Sequence, residues 1–271
     1  MTIKTCIARA EHGDNRFRGY ALNGELVGAH SMASMAALAV GGPLLVGEER
    51  ALLEDLAVAV TVADPRIWPL KAARIAGAYG SMFAAIAAGN LALERALMGM
   101  ESCVTVARRL VEVRPLAATL DDVALAAHLA VAWPERRPPG FGVPARAEDE
   151  RVVGITARVR ARGADERPFF RLYERIARVS RARRGLEANL QLVFAALALD
   201  LGFAAETIGA MAWSTAQIAL QANAVEAARE PAALLRRLPD AAIDYIGPAP
   251  RLSPRALAAA ASLPSDKPPQ G

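Results

Sequence analysis

Side chains suited to proton transfer are few and scattered in this sequence. His12, His30 and His128 are its only histidines. A lone histidine on a helix, as His128 reads, is more often a surface or hydrogen-bonded residue than a catalyst. Cys6 and Cys103 lie far apart and fit no metal-binding or redox spacing, so no metal is expected. Arginine is the abundant functional group, because Lys4, Lys71 and Lys267 are the only lysines behind a net charge of +4. Its planar fork binds carboxylates and phosphates bidentately, which suits an anionic small ligand. These arginines alternate with glutamates along helical faces, the pattern of a solvated mixed-charge surface. No finger, RNP or basic-arm pattern accompanies them, which argues against a nucleic-acid partner.

The elements that must position such groups are helices. Hydrophobic residues make up 54% of the 271 residues but aromatics only 5%, and alanine supplies much of the remainder. Small side chains let helices approach closely, so the composition favours packed helices over a sheet. Residues 1–30 contain turn formers and read as an extended or short hairpin segment. Apolar spacing then predicts helices over Ser31–Val40, Glu48–Val62, Leu70–Ala88, Asn90–Val113 and Leu120–Ala132, with Pro115 breaking the chain before the last. The Pro/Gly segment Trp133–Gly142 cannot continue a helix. Beyond it, Glu148–Arg162, Pro168–Arg181, Leu186–Leu201 and Ala205–Ala228 read as helices, with Gly202 placed as a C-terminal cap. The Pro-rich tail 247–271 reads as mobile. No apolar run reaches the roughly 20 residues a bilayer requires and no signal peptide is visible, so a cytoplasmic protein with no membrane partner is expected.

Several segments, in order, carry a resemblance. Arg16-Phe17-Arg18-Gly19-Tyr20 with Glu25-Leu26, Ala63-Asp64 with Ala72-Ala73-Arg74, and Phe83–Gly89 come first. Gly140-Phe141-Gly142 with Asp149 and Arg151, then Asn189-Leu190-Gln191, Leu201-Gly202 and Ser214-Thr215-Ala216, follow. Together they resemble the citrate synthase superfamily, and the chain length is nearer the short citryl-CoA lyase-like group. The resemblance implies an all-α multihelical fold with a large helical domain (31–133 and 205–246) and a small helical lobe (134–204) carrying the Gly-Phe-Gly loop. It also implies a homodimer packed through Leu70–Ala88 and Asn90–Ala107.

Family enzymes activate an acyl-CoA with a carboxylate base and polarise two carbonyls with histidines, since charge develops on both oxygens. At the positions matching the two histidines and the base, this chain has Met98, Val143 and Gln191. None of these side chains transfers a proton near neutral pH. Pro65 and Ser214 stand where the family places a substrate histidine and a carboxylate-binding arginine. By the same resemblance, Arg151 and Arg74 are substrate-site residues, and Arg146, Gly140 and Gly142 are expected near the coenzyme A phosphates. Glu101 and Cys103 are the nearest candidates for replacement chemistry, although a helix-start carboxylate and a buried small thiol are the plainer readings. The resemblance therefore implies a protein acting on coenzyme A thioesters or citrate-like acids, making or cleaving a carbon–carbon bond with a non-standard site. The alternative is a catalytically inactive homologue that binds coenzyme A or a metabolite, or regulates an active paralogue.

Overall fold

The computed structural model describes residues 2–10, 12–94, 99–143, 148–229, 240–242, 244, 246–249 and 251–255. The chain opens with β1 (Ala8–Arg9), β2 (Arg16–Phe17) and β3 (Tyr20–Ala21), a three-stranded antiparallel sheet in the order β1-β2-β3. A π-helical turn, Leu22–Leu26, leads from it toward the helices. They are α1 (Met32–Ala39), α2 (Gly47–Val60), α3 (Trp68–Tyr79), α4 (Met82–Glu94), α5 (Met100–Ala117), α6 (Asp122–Ala132), α7 (Glu150–Ala161), α8 (Pro168–Arg184), α9 (Leu190–Asp200) and α10 (Ala205–Ala227). The all-α class expected from composition is what the chain adopts.

Caps explain many of the boundaries. Ser31, Asp121, Asp149 and Asn189 each accept a hydrogen bond from an otherwise orphaned amide at the start of α1, α6, α7 and α9. Asp200, at the end of α9, accepts the amides of Phe169 and Phe170 and so caps α8 from a distance. Gly185 ends α8 at φ +61, a left-handed conformation that a side chain would oppose.

Four helix expectations need correction. Leu70–Ala88 is not continuous: α3 stops at Tyr79 and Ser81 restarts the chain, its hydroxyl accepting from the Ala84 amide. The predicted Asn90–Val113 helix is interrupted at Gly99, with Asn90–Glu94 closing α4 and Met100–Val113 lying in α5. Pro115 does not end α5 but sits in its last turn. There the one hydrogen bond that proline removes would reach back to Val111, which is exposed and open to water. Leu186–Asn189 is extended rather than the start of α9.

Residues Met1–Leu234 form one compact unit and Leu235–Gly271 a second, whose described part includes a 3-10 turn at Asp240–Ala242. In the first unit α9 is surrounded: Leu192, Val193, Phe194, Ala195, Ala196 and Leu197 are all buried, and α2, α5, α7, α8 and α10 pack against it. Burying each larger apolar side chain contributes about 1.5–3 kcal/mol. A second, smaller core joins α3, α4 and α10 through Leu70, Ala73, Ala85, Ala219, Leu220 and Ala224. The small residues set its spacing, since a Cβ added at Gly89 would lie 2.4 Å from Leu220 Cδ2. Arg162 fastens α7 to α2 through Asp55 at 2.7 Å and Glu48 at 2.8 Å.

Candidate functional site

The loop around Gly140 is shaped by backbone geometry. Gly140 and Gly142 have φ of +91 and +78, values that only glycine adopts readily. The extended Leu186–Asn189 segment pins this loop. The Gly142 amide donates to the Glu187 carbonyl at 2.8 Å, the Asn189 amide donates to the Gly140 carbonyl at 3.0 Å, and Phe141 bridges Ala188. The Asn189 side chain also donates to the Gly142 carbonyl at 3.0 Å. Phe141 closes against Trp133 with ring centroids 6.1 Å apart.

Gln191, one residue into α9, ties this loop to α5. Its Oε1 accepts from the Gly140 amide at 3.0 Å, and its Nε2 donates to Ser102 Oγ at 2.9 Å and toward Cys103 Sγ at 3.4 Å. Burial pushes the Cys103 thiol up to about 11, outweighing the Gln191 hydrogen bond, so the group is a neutral thiol at pH 7. A neutral thiol is a poor nucleophile.

Arg151 starts α7 and forms a two-point ion pair with Asp149, Nε and Nη2 each 2.7 Å from a carboxylate oxygen. Asp149 is 3% exposed and also accepts the Leu190 amide at 2.8 Å. Burial pushes its carboxyl upward, but the Arg151 hydrogen bond, the Leu190 amide and the Arg151 charge together hold it below the usual carboxylate range. The Gly-Phe-Gly loop, α7 and α9 thus meet at one charged, hydrogen-bonded junction.

Beside this junction lies a cavity of about 210 Å³. Gly140, Gly142, Val143, Arg151, Gln191 and Cys103 all line it. The sequence expectations that fall together are therefore those at the loop and at the starts of α7 and α9. Arg74 is not among the lining residues: it bonds Glu226 at 3.0 Å and bridges α3 to α10. Ser214 is not among them either, and its hydroxyl donates to the Ala210 carbonyl of its own helix. Pro65 is exposed, and Glu101 is exposed at the start of α5. Met98 and Arg146 lie outside the described residues.

Sequence reasoning missed Ser102, which holds Gln191, and Trp213, whose indole donates to Asn90 at 2.9 Å and forms part of the cavity wall. It also missed how apolar the wall is. Val60, Val62, Ile67, Leu93, Phe194 and Leu220 all face the space. They come from segments far apart in the chain, and no local pattern marks them as neighbours.

No family model and no curated protein sequence matches the chain. Solved structures do. Citryl-CoA lyase from Hydrogenobacter thermophilus aligns with a TM-score of 0.78 at 23% identity, covering 95% of this chain and 100% of that one. ATP citrate lyase from Methanothrix soehngenii, in complex with citrate and coenzyme A, gives 0.73 at 16% identity over 92% of this chain and 42% of that one. Citrate synthase from Thermotoga maritima gives 0.59 at 17% identity over 82% of this chain and 65% of that one. The chain therefore has the multihelical fold of citryl-CoA lyase and the citrate synthases.

Proposed function

We propose that the chain binds a coenzyme A thioester at the cavity beside the Gly140–Gly142 loop and does so without acid–base turnover. The observation that carries this reading is the Gln191 amide. It stands where the family resemblance expects the catalytic carboxylate, and its oxygen and nitrogen are committed to Gly140, Ser102 and Cys103. An amide so engaged cannot take a proton from a thioester. Cys103, the neutral thiol beside it, offers no base in its place. A similarly folded ATP citrate lyase holds citrate and coenzyme A, which supports the ligand class.

Such a protein would act as a metabolite-binding or regulatory subunit, either as a homodimer or beside an active paralogue. The outer face of α4 suits a partner helix. Phe83 and Leu91, 75% and 69% exposed, share it with the exposed Ala84 and Ala87.

Thermal melts with coenzyme A, acetyl-CoA, citryl-CoA and citrate, paired with a free-thiol assay on citryl-CoA, test the proposal. A saturating thioester at about 100 times its Kd stabilises a protein by about 2.7 kcal/mol, a shift of several degrees. The expected result is such a shift without thiol release. No shift with any coenzyme A compound refutes the binding reading.

The second reading is catalysis of carbon–carbon bond formation or cleavage by a rearranged site, favoured by Arg151 lining the cavity beside the Gly140–Gly142 loop. Thiol release from citryl-CoA, proportional to protein concentration, would establish it over the first.

A further inference from the structure

The chemistry of the cavity wall restricts the acyl group it can hold. A citrate-like group brings several carboxylates, and each needs a cation or several donors once it leaves water. Among the described lining residues the cations are Arg137 and Arg151. Arg151 is already neutralised by Asp149 through two hydrogen bonds. Arg137 is exposed at the rim and makes no ion pair with the described residues. The amides are committed as well: Asn189 bonds Gly142 and the Gln191 backbone, and Gln191 bonds the loop and α5. What remains among the described lining residues is apolar surface, with Val60, Ile67, Leu70, Leu93, Phe194 and Leu220 facing inward.

From this wall we infer that the cavity takes a saturated acyl chain of medium length rather than a polycarboxylate, with the anionic end of the ligand at the Arg137 rim. This rests on the coenzyme A reading for the source of the acyl group, although a free carboxylate carries the same chemistry. The 210 Å³ volume corresponds to roughly seven groups of water size at roughly 30 Å³ each, which a six- to eight-carbon chain would fill. Polar groups already paired with one another lose nothing when such a chain enters. Each methylene removed from water tightens binding about fourfold.

The test is a binding series on the full chain, followed by calorimetry and by Trp213 fluorescence: acetyl-, butyryl-, hexanoyl- and octanoyl-CoA, citryl-CoA, coenzyme A alone, octanoate and citrate. The expected result is affinity rising with chain length, octanoyl-CoA at least about 30-fold tighter than acetyl-CoA, and citryl-CoA weaker than hexanoyl-CoA. Ala216→Phe, which fills a lining position, should flatten the series. If that variant melts early, the wild-type series still decides. A flat series, or citryl-CoA as the tightest ligand, overturns the inference and leaves the coenzyme A reading standing. Binding of octanoate with none of the thioesters upholds the acyl inference and overturns the coenzyme A reading. Binding of nothing in the panel overturns both.

Discussion

Replacing Asp149 should reveal how much of the site is held by one carboxylate. Four donors converge on it: Arg151 Nε and Nη2 at 2.7 Å, the Leu190 amide at 2.8 Å and the Arg151 amide at 3.2 Å. Asp149→Ala leaves a mostly buried guanidinium and a buried amide without their acceptor, and breaking such a pair costs about 3–5 kcal/mol. Asp149→Asn keeps one oxygen for the amide but loses the charge, so about 1.5–3 kcal/mol is expected. The sign of the pH dependence follows from the lowered folded-state value. The carboxylate stabilises the fold fully above its unfolded value of about 3.9. That contribution is lost as pH falls through the lower folded value. Urea unfolding of wild type and both variants at pH 7, and again at several points below pH 4, should show the gap to Asp149→Asn closing as the wild-type carboxyl protonates. A cost below about 1 kcal/mol for Asp149→Ala at pH 7, set against the 3–5 expected, would refute the argument that this junction is held by its charge.

Other outcomes follow from the same structure. In a Cys6→Ser background, Cys103 should react with a thiol reagent at pH 8 far more slowly than in urea, because the thiol is buried and pushed up to about 11. With the folded value above the ordinary 9.0, stability contributed by this group is present below pH 9 and declines as pH rises toward 11, readable as a falling urea midpoint. Gly209→Ala should destabilise by about 1–3 kcal/mol, since its Cβ would lie 2.4 Å from the Met100 carbonyl oxygen, whereas Gly154→Ala meets nothing within 4 Å and should stabilise α7 by about 0.5–1 kcal/mol. If α4 forms the dimer interface, Leu91→Arg should convert a dimer to a monomer by light scattering at micromolar concentration, with the circular dichroism unchanged; a persisting dimer places the interface elsewhere.

Much of the fold could be read from residues whose physics is local. Ser31 and Gly202 mark ends because an amide needs an acceptor or a backbone needs a positive φ, and neither requirement depends on distant contacts. The α3–α4 break was hidden because alanine and glycine continue on both sides of Gly80-Ser81, so apolar spacing carries no interruption there. The loop glycines and Gln191 could be picked out by motif, but the partner that makes Gln191 a fixed strut, Ser102, lies 89 residues away. Arg74 and Ser214 matched family positions by residue order, yet one pairs with Glu226 and the other bonds its own helix. The apolar wall was out of reach for a different reason. It is assembled from the end of α2, the start of α3, and from α4, α9 and α10, and only folding brings those segments to one surface.

The burial of α9 on all sides has a kinetic consequence. Its amides between Val193 and Ala198 have no solvent-facing side through which a local fluctuation could admit water. Their hydrogen exchange should then proceed only when the first unit opens as a whole, making them its slowest protons. The loop ties at Gln191 and Leu190 sit one turn earlier on the same helix. A ligand that tightens those ties would lengthen the exchange lifetimes deep in α9 without touching them. The helix would thus serve as an internal clock for occupancy of the cavity.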